Sequence, residues 1–259
     1  NGFDPHYSQG QWNVYQTEGS LEKYHLPAFI KAVENRVSSI MPYYAKPAAE
    51  KSETQYDLEG NPIDMVPVGF AFNKVFINDI LREQIGHEGY VNSDSGITGN
   101  MCWGVEELDV PERNALAINV GTDIISDTND VNSIIEAWNR GVDGGKSDYY
   151  TTEGVVPAGY EVADVTLTTA ALDQSNVRLL KEMFDLGLFE NPYRDPETAQ
   201  ETVDNQNNWD EAYEAHQKSV VLLKDGEGTL PLTADKLTGK KVYIEYFGQS
   251  NSASTTSEL

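Results

Sequence analysis

Apolar residues recur at helical spacing in two segments of the N-terminal half of the chain. The first face consists of Leu26, Phe29, Ile30 and Val33. The second face consists of Val75, Ile77, Ile80, Leu81 and Ile85. This spacing predicts two amphipathic helices, because residues three and four positions apart lie on the same side of a helix. Ser20 is the expected cap of the first helix, and Gly86 is expected to end the second.

Short strand-like runs lie between the helical segments. We expect parallel strands near residues 38–41, 90–93 and 117–120, with the intervening helices packed on the outside. Two more helices are expected, one with Pro111 in its first turn and one capped by Asp130. Alternation of strands and helices is typical of βα units around a parallel sheet. Three or four strands, however, are too few to close an eight-stranded barrel.

Helical spacing returns in the C-terminal half, where four apolar residues are expected to face inward: Val177, Leu180, Met183 and Phe184. A further helix is expected from 208 to about 224, and a strand from 241 to 247. Breaks rich in Pro and Asp mark a boundary between residues 190 and 230. The predicted organisation is a βα domain at 1–190, a linker at 191–228, and the start of a further domain at 229–259.

Composition and charge limit the classes of function. The chain has 259 residues and a formal net charge of -24, which repels phosphate backbones and argues against nucleic-acid binding. It contains no run of 18 or more apolar residues, so no membrane-spanning segment is predicted. The acidity favours an extracellular or periplasmic location. Nothing in the sequence predicts the oligomeric state.

Metal and disulfide chemistry are not expected. The single cysteine, Cys102, excludes an internal disulfide and a cysteine-based zinc site. The four histidines are scattered without the spacing of metal ligands: His6, His25, His87 and His216. No glycine-rich phosphate-binding loop follows a strand. The sequence therefore predicts a protein without a metal or other cofactor.

Asp94 stands at the end of a strand-like run and is followed at once by Ser95 and Gly96. A carboxylate at the C-terminal end of a parallel strand is where barrel enzymes hold their catalytic groups. The alternative is that Asp94 only begins a turn, since Asp is favoured at such positions. This segment alone leaves both interpretations open.

Five sequence blocks extend over nearly the whole chain, in the order LPAFIKAVENRVSSIMPYY, GFAFNKVFINDILREQIGHEGYVNSDSG, VPERNALAINVGTDI, LLKEMFDLGLFENPY and HQKSVVLLKDGEGTLPL. Together they resemble glycoside hydrolase family 3, the β-glucosidase and β-xylosidase family. The resemblance implies an α/β protein: the C-terminal part of a (β/α)8 barrel of TIM type, then a linker and the start of an α/β sandwich domain. It also implies that the chain is an internal fragment of a longer protein.

The activity that the resemblance implies is that of a retaining, exo-acting β-glycosidase, most closely a β-glucosidase. Its substrate is expected to be an oligosaccharide, a disaccharide or an aryl β-glycoside with a terminal non-reducing β-D-glycosyl residue. The alternative is an inactive or carbohydrate-binding relative with the same fold. Neither function requires a nucleic acid, a membrane or a cofactor.

The resemblance assigns the nucleophile to Asp94, because the family's nucleophile is the Asp of a Ser-Asp segment that ends a barrel strand. A retaining glycosidase uses two carboxyl groups about 5 to 5.5 Å apart. In the common branch the acid/base Glu lies in the sandwich domain, which places it beyond Leu259. We identify no segment matching the Asp-His pair of another branch. Ser95 stands where many members have Trp after the nucleophile.

Four further residues are expected to bind substrate. Tyr44 matches the family's Met-x-x-Tyr strand end, and His6 and Trp12 belong to a segment that resembles a loop near the sugar site. Trp103 follows the nucleophile loop. The alternative is that Tyr44 and Trp103 only pack, and that His6 and Trp12 are surface residues. Three other acids are weaker candidates for the catalytic role: Glu106, Glu107 and Asp123.

Overall fold

The computed structural model of the chain describes residues 4–142, 156–226, 228–241 and 243. The chain divides into two compact units, Asn1–Tyr193 and Arg194–Leu259. The strands named below, and the residues of the candidate site, all belong to the first unit.

In the part of the chain that the structure describes, four strands of two residues each form two parallel pairs. Strand β1 (Trp12–Asn13) pairs with β3 (Lys46–Pro47), and β2 (Ser39–Ile40) pairs with β4 (Tyr90–Val91). The predicted parallel strands near 38–41 and 90–93 are therefore confirmed, although both are shorter than expected. Parallel pairing brings the C-terminal ends of β2 and β4 to the same edge, so the loops that follow them lie close together.

The third predicted strand, at 117–120, is wrong. These residues belong to helix α2, Val110–Val120. The segment that lies parallel to the end of β4 comes a few residues later, where Ile124 forms a bridge with Asn92.

A clear start and end define helix α2. The Asp109 carboxylate accepts a hydrogen bond from Glu112 N at 2.9 Å, and the Glu112 carboxylate accepts one from Asp109 N at 2.8 Å. Pro111 lies in the first turn as predicted, and Gly121 ends the helix at φ 104°. Several consecutive apolar side chains of the helix are buried: Ala115, Leu116, Ala117 and Ile118. A helix that is apolar on several sides gives the same sequence pattern as a buried strand.

The remaining helices of the first unit include α1 (Leu26–Glu34), the helix Val75–Gln84, α3 (Val131–Val142) and α4 (Thr169–Asp185). Val75–Gln84 is a π-helix, and a π-helical turn, Leu21–His25, leads into α1. Short 3-10 helices occupy Ser8–Gly10, Ala49–Lys51, Phe70–Phe72 and Val162–Val165. Asp130 caps α3 as predicted, since its carboxylate accepts from Ser133 N at 3.1 Å. Gly86 follows the Val75–Gln84 helix at φ 83°.

Ser20 does not cap a helix. Its own backbone is helical, and its side chain forms no cap hydrogen bond. The Ser20 hydroxyl instead donates to Gln55 Oε1 at 3.2 Å, and the same oxygen accepts from Leu21 N at 2.7 Å. Gln55, which is fully buried, thus takes the place of the predicted cap at this helix start.

Helix α4 presents its apolar face to solvent rather than to the core. Its four residues predicted to face inward are 42% to 58% exposed: Val177, Leu180, Met183 and Phe184. Polar contacts orient the helix instead. Ser175 Oγ and Arg178 Nη1 each donate to Asp123 Oδ1 at 2.8 Å. Helical spacing correctly predicted that these four residues share one face of the helix. The expectation that this face packs inward is wrong.

The largest buried cluster lies beneath the loops at the strand ends. It includes Tyr44, Phe72, Ile97, Leu116 and Val165. Since Tyr44 and Ile97 belong to segments on either side of Asp94, this packing holds those segments in place. Within the described residues, no helix has the length and apolar character to cross a membrane.

The second unit contains α5 (Pro196–Val203), α6 (Gln206–Ser219) and α7 (Ala234–Leu237). The helix expected from 208 to about 224 corresponds to α6 but ends earlier, before Val220. Most of the strand expected at 241–247 lies outside the described residues.

Candidate active site

Asp94 lies in the loop that follows β4, at the edge where the parallel strands end. Its side chain is partly exposed, and its Oδ1 accepts a hydrogen bond from Ser95 N at 2.7 Å. The backbone donor fixes the direction of the carboxylate, and among the described residues no protein group covers its solvent-accessible side. The side chain is thus held in position while remaining open to a substrate.

Tyr44 follows β2 and lies beside Asp94. The Tyr44 hydroxyl donates to the Ser95 carbonyl oxygen at 2.8 Å, and only 4% of the residue is exposed. Burial, together with the neighbouring Asp94 carboxylate, raises the pKa of Tyr44 to about 12. The phenol therefore stays protonated at neutral pH and serves as a hydrogen-bond donor next to Asp94.

His6 extends this group from the N-terminal loop. Its ring lies edge-on to the Tyr44 ring, with 5.0 Å between the centroids. Nδ1 of His6 lies 2.5 Å from Oδ1 of Asp4, and the backbone and ring hydrogen bonds from His6 lower the pKa of Asp4. A carboxylate in this arrangement orients the imidazole and selects its tautomer.

Trp103 connects the same loop to the core. Its indole Nε1 donates to the Pro5 carbonyl oxygen at 2.9 Å, and its ring packs against the buried cluster that contains Tyr44. The hydrogen bond immediately precedes His6 in the chain. Trp103 therefore holds the His6 loop in place, and its position agrees with the packing interpretation.

Trp12 lies among cations. The Lys46 ammonium is 4.3 Å from the centre of the Trp12 ring, and that of Lys51 is 6.0 Å away. Cations at these distances interact favourably with the ring face. Lys46 Nζ also lies 3.9 Å from Glu106 Oε1. A sugar that stacks on the face of the Trp12 ring covered by Lys46 has to displace the Lys46 ammonium group.

Asp123, one of the weaker candidates for the catalytic role, is a buried structural acid. Its side chain is 0% exposed. Oδ2 accepts from Arg82 Nη2 at 2.7 Å and from Val91 N at 2.8 Å, while Oδ1 accepts from Ser175 and Arg178. With four donors around it, this carboxylate has no open side for a substrate.

Glu106 is also engaged within the protein. Its Oε2 accepts from Gly104 N at 2.8 Å, and its carbonyl oxygen accepts from Arg113 Nη2 at 2.8 Å. Its carboxylate thus supports the local turn after Trp103.

A cavity of about 570 Å³ is bordered by Ile40 of β2 and by the residues that directly follow it. Residues that line it include Leu26, Phe29, Met41, Tyr43 and Phe76. The wall contains no acidic residue and none of the five residues predicted for the site. The cavity is therefore separate from the chemistry expected at Asp94.

Comparison with curated proteins finds β-glucosidase and β-xylosidase relatives, although no family model matches the chain. Probable β-glucosidase C of Aspergillus flavus is 30% identical, with 96% of this chain and 35% of the relative aligned. β-Glucosidase C of Emericella nidulans is 30% identical over 95% of this chain and 35% of its own length. The periplasmic β-glucosidase/β-xylosidase of Dickeya chrysanthemi is 29% identical, over 90% and 33% respectively.

The chain is a homologue of glycoside hydrolase family 3 enzymes. It spans about a third of the length of the curated relatives that it matches.

Solved structures support the family 3 relationship at the level of fold. A β-glucosidase involved in saponin metabolism from intestinal bacteria superposes with a TM-score of 0.56 at 24% identity, covering 86% of this chain and 24% of that one. A β-glucoside phosphorylase bound to 2FGlc gives 0.59 at 18% identity, covering 90% and 37%. The family 3 structures have a TIM-barrel domain, whereas the described residues of this chain are mostly helical with few strands.

Three of the five predicted residues of this family 3 homologue come together. Tyr44 contacts the peptide next to Asp94 and the ring of His6, while Trp103 supports the His6 loop through Pro5. Trp12 instead interacts with Lys46.

Sequence reasoning missed two acids near this group, Asp4 and Asp127. Asp4 lies against His6, with its Oδ1 2.5 Å from His6 Nδ1. The Asp-x-His spacing was the available signal, since residues two positions apart meet readily in a tight turn. Asp127 accepts a hydrogen bond from Ser95 Oγ. No local pattern predicts that contact, because it joins loops 32 residues apart.

Proposed function

We propose that this family 3 homologue carries the nucleophile of a retaining, exo-acting β-glycosidase, in the first instance a β-glucosidase. In this proposal an Asp94 carboxylate oxygen attacks the anomeric carbon of a terminal non-reducing β-D-glycosyl residue. The glycosidic bond breaks, and the departing oxygen takes a proton from an acid. Water then hydrolyses the glycosyl ester and regenerates the carboxylate.

The position of Asp94 carries the proposal. It is a partly exposed carboxylate at the end of a parallel strand, with an amide donor at 2.7 Å and a buried phenol close by. The other acid at this edge, Asp123, is saturated by two arginines, a serine and a backbone amide. Of the two, only Asp94 has the access that a nucleophile needs.

The chain is proposed to be the C-terminal part of the (β/α)8 barrel, up to residue 190. In the same proposal, residues 191–228 form a linker and residues 229–259 begin the sandwich domain. The acid/base Glu then lies outside this chain. The division of the structure after Tyr193 supports a boundary in this region.

The names of the curated relatives support a glucoside or xyloside substrate: an oligosaccharide, a disaccharide or an aryl β-glycoside. An extracellular or periplasmic location agrees with the name of the Dickeya relative.

Covalent trapping of the full-length protein tests the proposal. The 2-fluoro group of a 2-deoxy-2-fluoro-β-D-glucoside slows both steps. A good leaving group keeps formation of the intermediate faster than its hydrolysis, so the glycosyl ester accumulates. Digestion and mass spectrometry should locate the sugar on the peptide that contains Asp94.

Controls separate Asp94 from the neighbouring acids. The variants Glu106→Gln and Glu107→Gln should be labelled as the wild-type protein is, on Asp94. A label on Glu106, Glu107 or Asp123 would show that the nucleophile is wrongly assigned. A protein that binds the glycoside but is never labelled would support the alternative, a carbohydrate-binding relative without activity.

A further inference from the structure

Two loops are tied together next to Asp94. Ser93 N donates to the Ile124 carbonyl oxygen at 2.9 Å, and Ser126 N donates to Ser93 Oγ at 2.9 Å. Ser126 Oγ donates to Asn92 Oδ1 at 2.6 Å. We call the paired segments 92–95 and 124–127 the strand-end tie. Its hydrogen bonds join the loop after β4 to the neighbouring chain segment over most of its length.

Asp127 is the last residue of the strand-end tie. Its carboxylate accepts a short hydrogen bond from the Ser95 hydroxyl. The backbone of Asp127 has φ 53°, in the left-handed region that few residues other than Gly, Asn and Asp adopt readily. The side chain is exposed at the same edge as Asp94. The conformation turns the carboxylate back toward Ser95 instead of leaving it in open solvent.

Ser95 contacts both principal groups of the candidate site. Its amide donates to Asp94 Oδ1 at 2.7 Å, and its carbonyl oxygen accepts from the Tyr44 hydroxyl at 2.8 Å. A rotation of this one residue therefore changes the position of the nucleophile and the contact of the phenol together. The hydrogen bond from Asp127 restrains such a rotation.

Resting on the proposed function, we infer that Asp127 is a positioning residue for the formation of the glycosyl-Asp94 intermediate. It holds Ser95 so that the amide of Ser95 orients Asp94 and its carbonyl group holds Tyr44. Because Ser95 directly follows Asp94 in the chain, a hydrogen bond that restrains Ser95 also restrains the nucleophile's loop.

The charge of Asp127 also acts on the site. After burial and Asp94, the Asp127 carboxylate contributes to the high pKa of Tyr44. Asp127 is therefore close enough to Tyr44 to act on its phenol, while its hydrogen bond anchors Ser95. The hydrogen bond favours an ordered arrangement before the sugar arrives.

The test uses three variants of the full-length protein: Asp127→Ala, Asp127→Asn and Ser95→Ala. The readout is the rate at which an aryl 2-deoxy-2-fluoro-β-D-glucoside releases its aryl group and labels Asp94. Asp127→Ala and Ser95→Ala should each slow labelling by about tenfold, the effect of about one lost hydrogen bond in the transition state. The dissociation constant of the glycoside should change by less than about twofold, because substrate binding is not the affected step.

Rescue by the conservative variant distinguishes positioning from a general structural role. The amide oxygen of Asp127→Asn accepts the same hydrogen bond, so its labelling rate should lie within about threefold of the wild-type rate. The double variant Ser95→Ala/Asp127→Ala should be no slower than either single variant, since both remove one interaction. Asp173→Ala, which removes an exposed acid from α4, is the control and should label at the wild-type rate.

The outcomes separate this inference from the proposed function. If the wild-type protein is not labelled on Asp94, the proposed function fails, and the inference fails with it. If the wild-type protein is labelled and Asp127→Ala reacts at the same rate, only the positioning role is overturned. An Asn variant as slow as the Ala variant, or additive effects in the double variant, would also overturn it. If Asp127→Ala does not fold, the comparison of Ser95→Ala with Asp127→Asn gives the answer.

Discussion

Asp94 and Asp123 lie beside the same strand, β4, in opposite environments. Asp94 is partly exposed and receives a backbone amide, with the Tyr44 phenol nearby. Asp123 is fully buried and receives hydrogen bonds from Arg82, Arg178, Ser175 and a backbone amide of β4. Both residues are aspartates that lie at the strand ends. They differ in the number of protein hydrogen-bond donors that their carboxylates receive.

Under the proposed function, the difference separates a reactive carboxylate, Asp94, from a structural one, Asp123. A buried carboxylate needs full pairing, because an unpaired buried charge is strongly unfavourable. That pairing lets Asp123 connect α4 and the Val75–Gln84 helix to β4. A nucleophile needs the reverse, a charge that is oriented but not surrounded. The comparison therefore predicts a loss of activity at one aspartate and a loss of stability at the other.

The largest expected effect is the loss of turnover in Asp94→Asn. Asn keeps the size of the side chain and an acceptor for Ser95 N but cannot form the glycosyl ester. The kcat/KM for an aryl β-glucoside should fall by on the order of 10⁴-fold or more, while the thermal midpoint stays close to that of the wild-type protein. Steady-state kinetics and calorimetry on one preparation measure both quantities. Turnover near the wild-type level would remove Asp94 from the mechanism.

The second prediction concerns Asp123→Asn, which should unfold more easily. The substitution leaves two guanidinium groups, Arg82 and Arg178, without their counter-charge; their side chains are 8% and 17% exposed. Breaking a buried pair in this way costs about 3–5 kcal/mol of unfolding free energy. Urea denaturation of the domain that contains the residue provides the measurement. Asp94→Asn is the matched control, and equal midpoints for the two variants would contradict the division of roles.

A smaller effect is expected for Tyr44→Phe. It removes the hydroxyl that donates to the Ser95 carbonyl oxygen but keeps the buried ring. We expect kcat/KM to fall by about tenfold, with a small loss of stability. Tyr43→Phe is the control, because Tyr43 is 45% exposed and lines the cavity, which does not include Asp94 or Tyr44. Equal activity in the two variants would show that the Tyr44 hydroxyl is not needed.

The smallest effect is on the alkaline titration of Tyr44. Burial raises its pKa from 10.0 to about 12, so folding favours the protonated phenol. The resulting stabilisation is present in full below pH 10 and is lost as the pH rises through about 12. In a difference titration of phenolate absorbance, wild type minus Tyr44→Phe, the step should appear near the upper value. A step near pH 10 would indicate that Tyr44 is open to solvent in the folded protein.

The sequence predicted the elements whose ends carry local signals. Gly86 follows the Val75–Gln84 helix, Pro111 lies in the first turn of α2, and Asp130 caps α3. The parallel pairing of β2 with β4 followed from the alternation of strands and helices. Signals of this kind depend on the backbone within a few residues, so tertiary contacts do not override them.

The errors occurred where tertiary contacts decide the structure. Ala117 and Ile118 are buried in a helix that has apolar neighbours on several sides, so the run had the appearance of a strand. In α4, Ser175 and Arg178 attach the helix through Asp123, and the apolar face that includes Leu180 remains exposed. A long-range polar contact cannot be read from helical spacing.

The site itself was partly predictable. Asp94 and Tyr44 follow strand-like runs, and strand ends in a parallel sheet meet at one edge, so their proximity was expected from the family motif. Trp12 was expected to offer a sugar-stacking face, but Lys46 lies on its ring. Asp127 reaches Ser95 across 32 residues of sequence. Such a contact depends on how two loops are aligned, which composition and periodicity do not encode.

The hydrogen bond from Trp103 to Pro5 has an optical consequence. Indole fluorescence responds to the hydrogen bonding and polarity around the ring nitrogen, and Pro5 immediately precedes His6, whose ring lies edge-on to that of Tyr44. The chain has four tryptophans, and replacement of Trp12, Trp138 and Trp209 by Phe would leave Trp103 as the sole emitter among them. We expect the emission maximum of that variant to move when a glycoside displaces the His6 loop. In such a variant, the glycoside binding that we propose could be followed in real time through Trp103, without an attached dye.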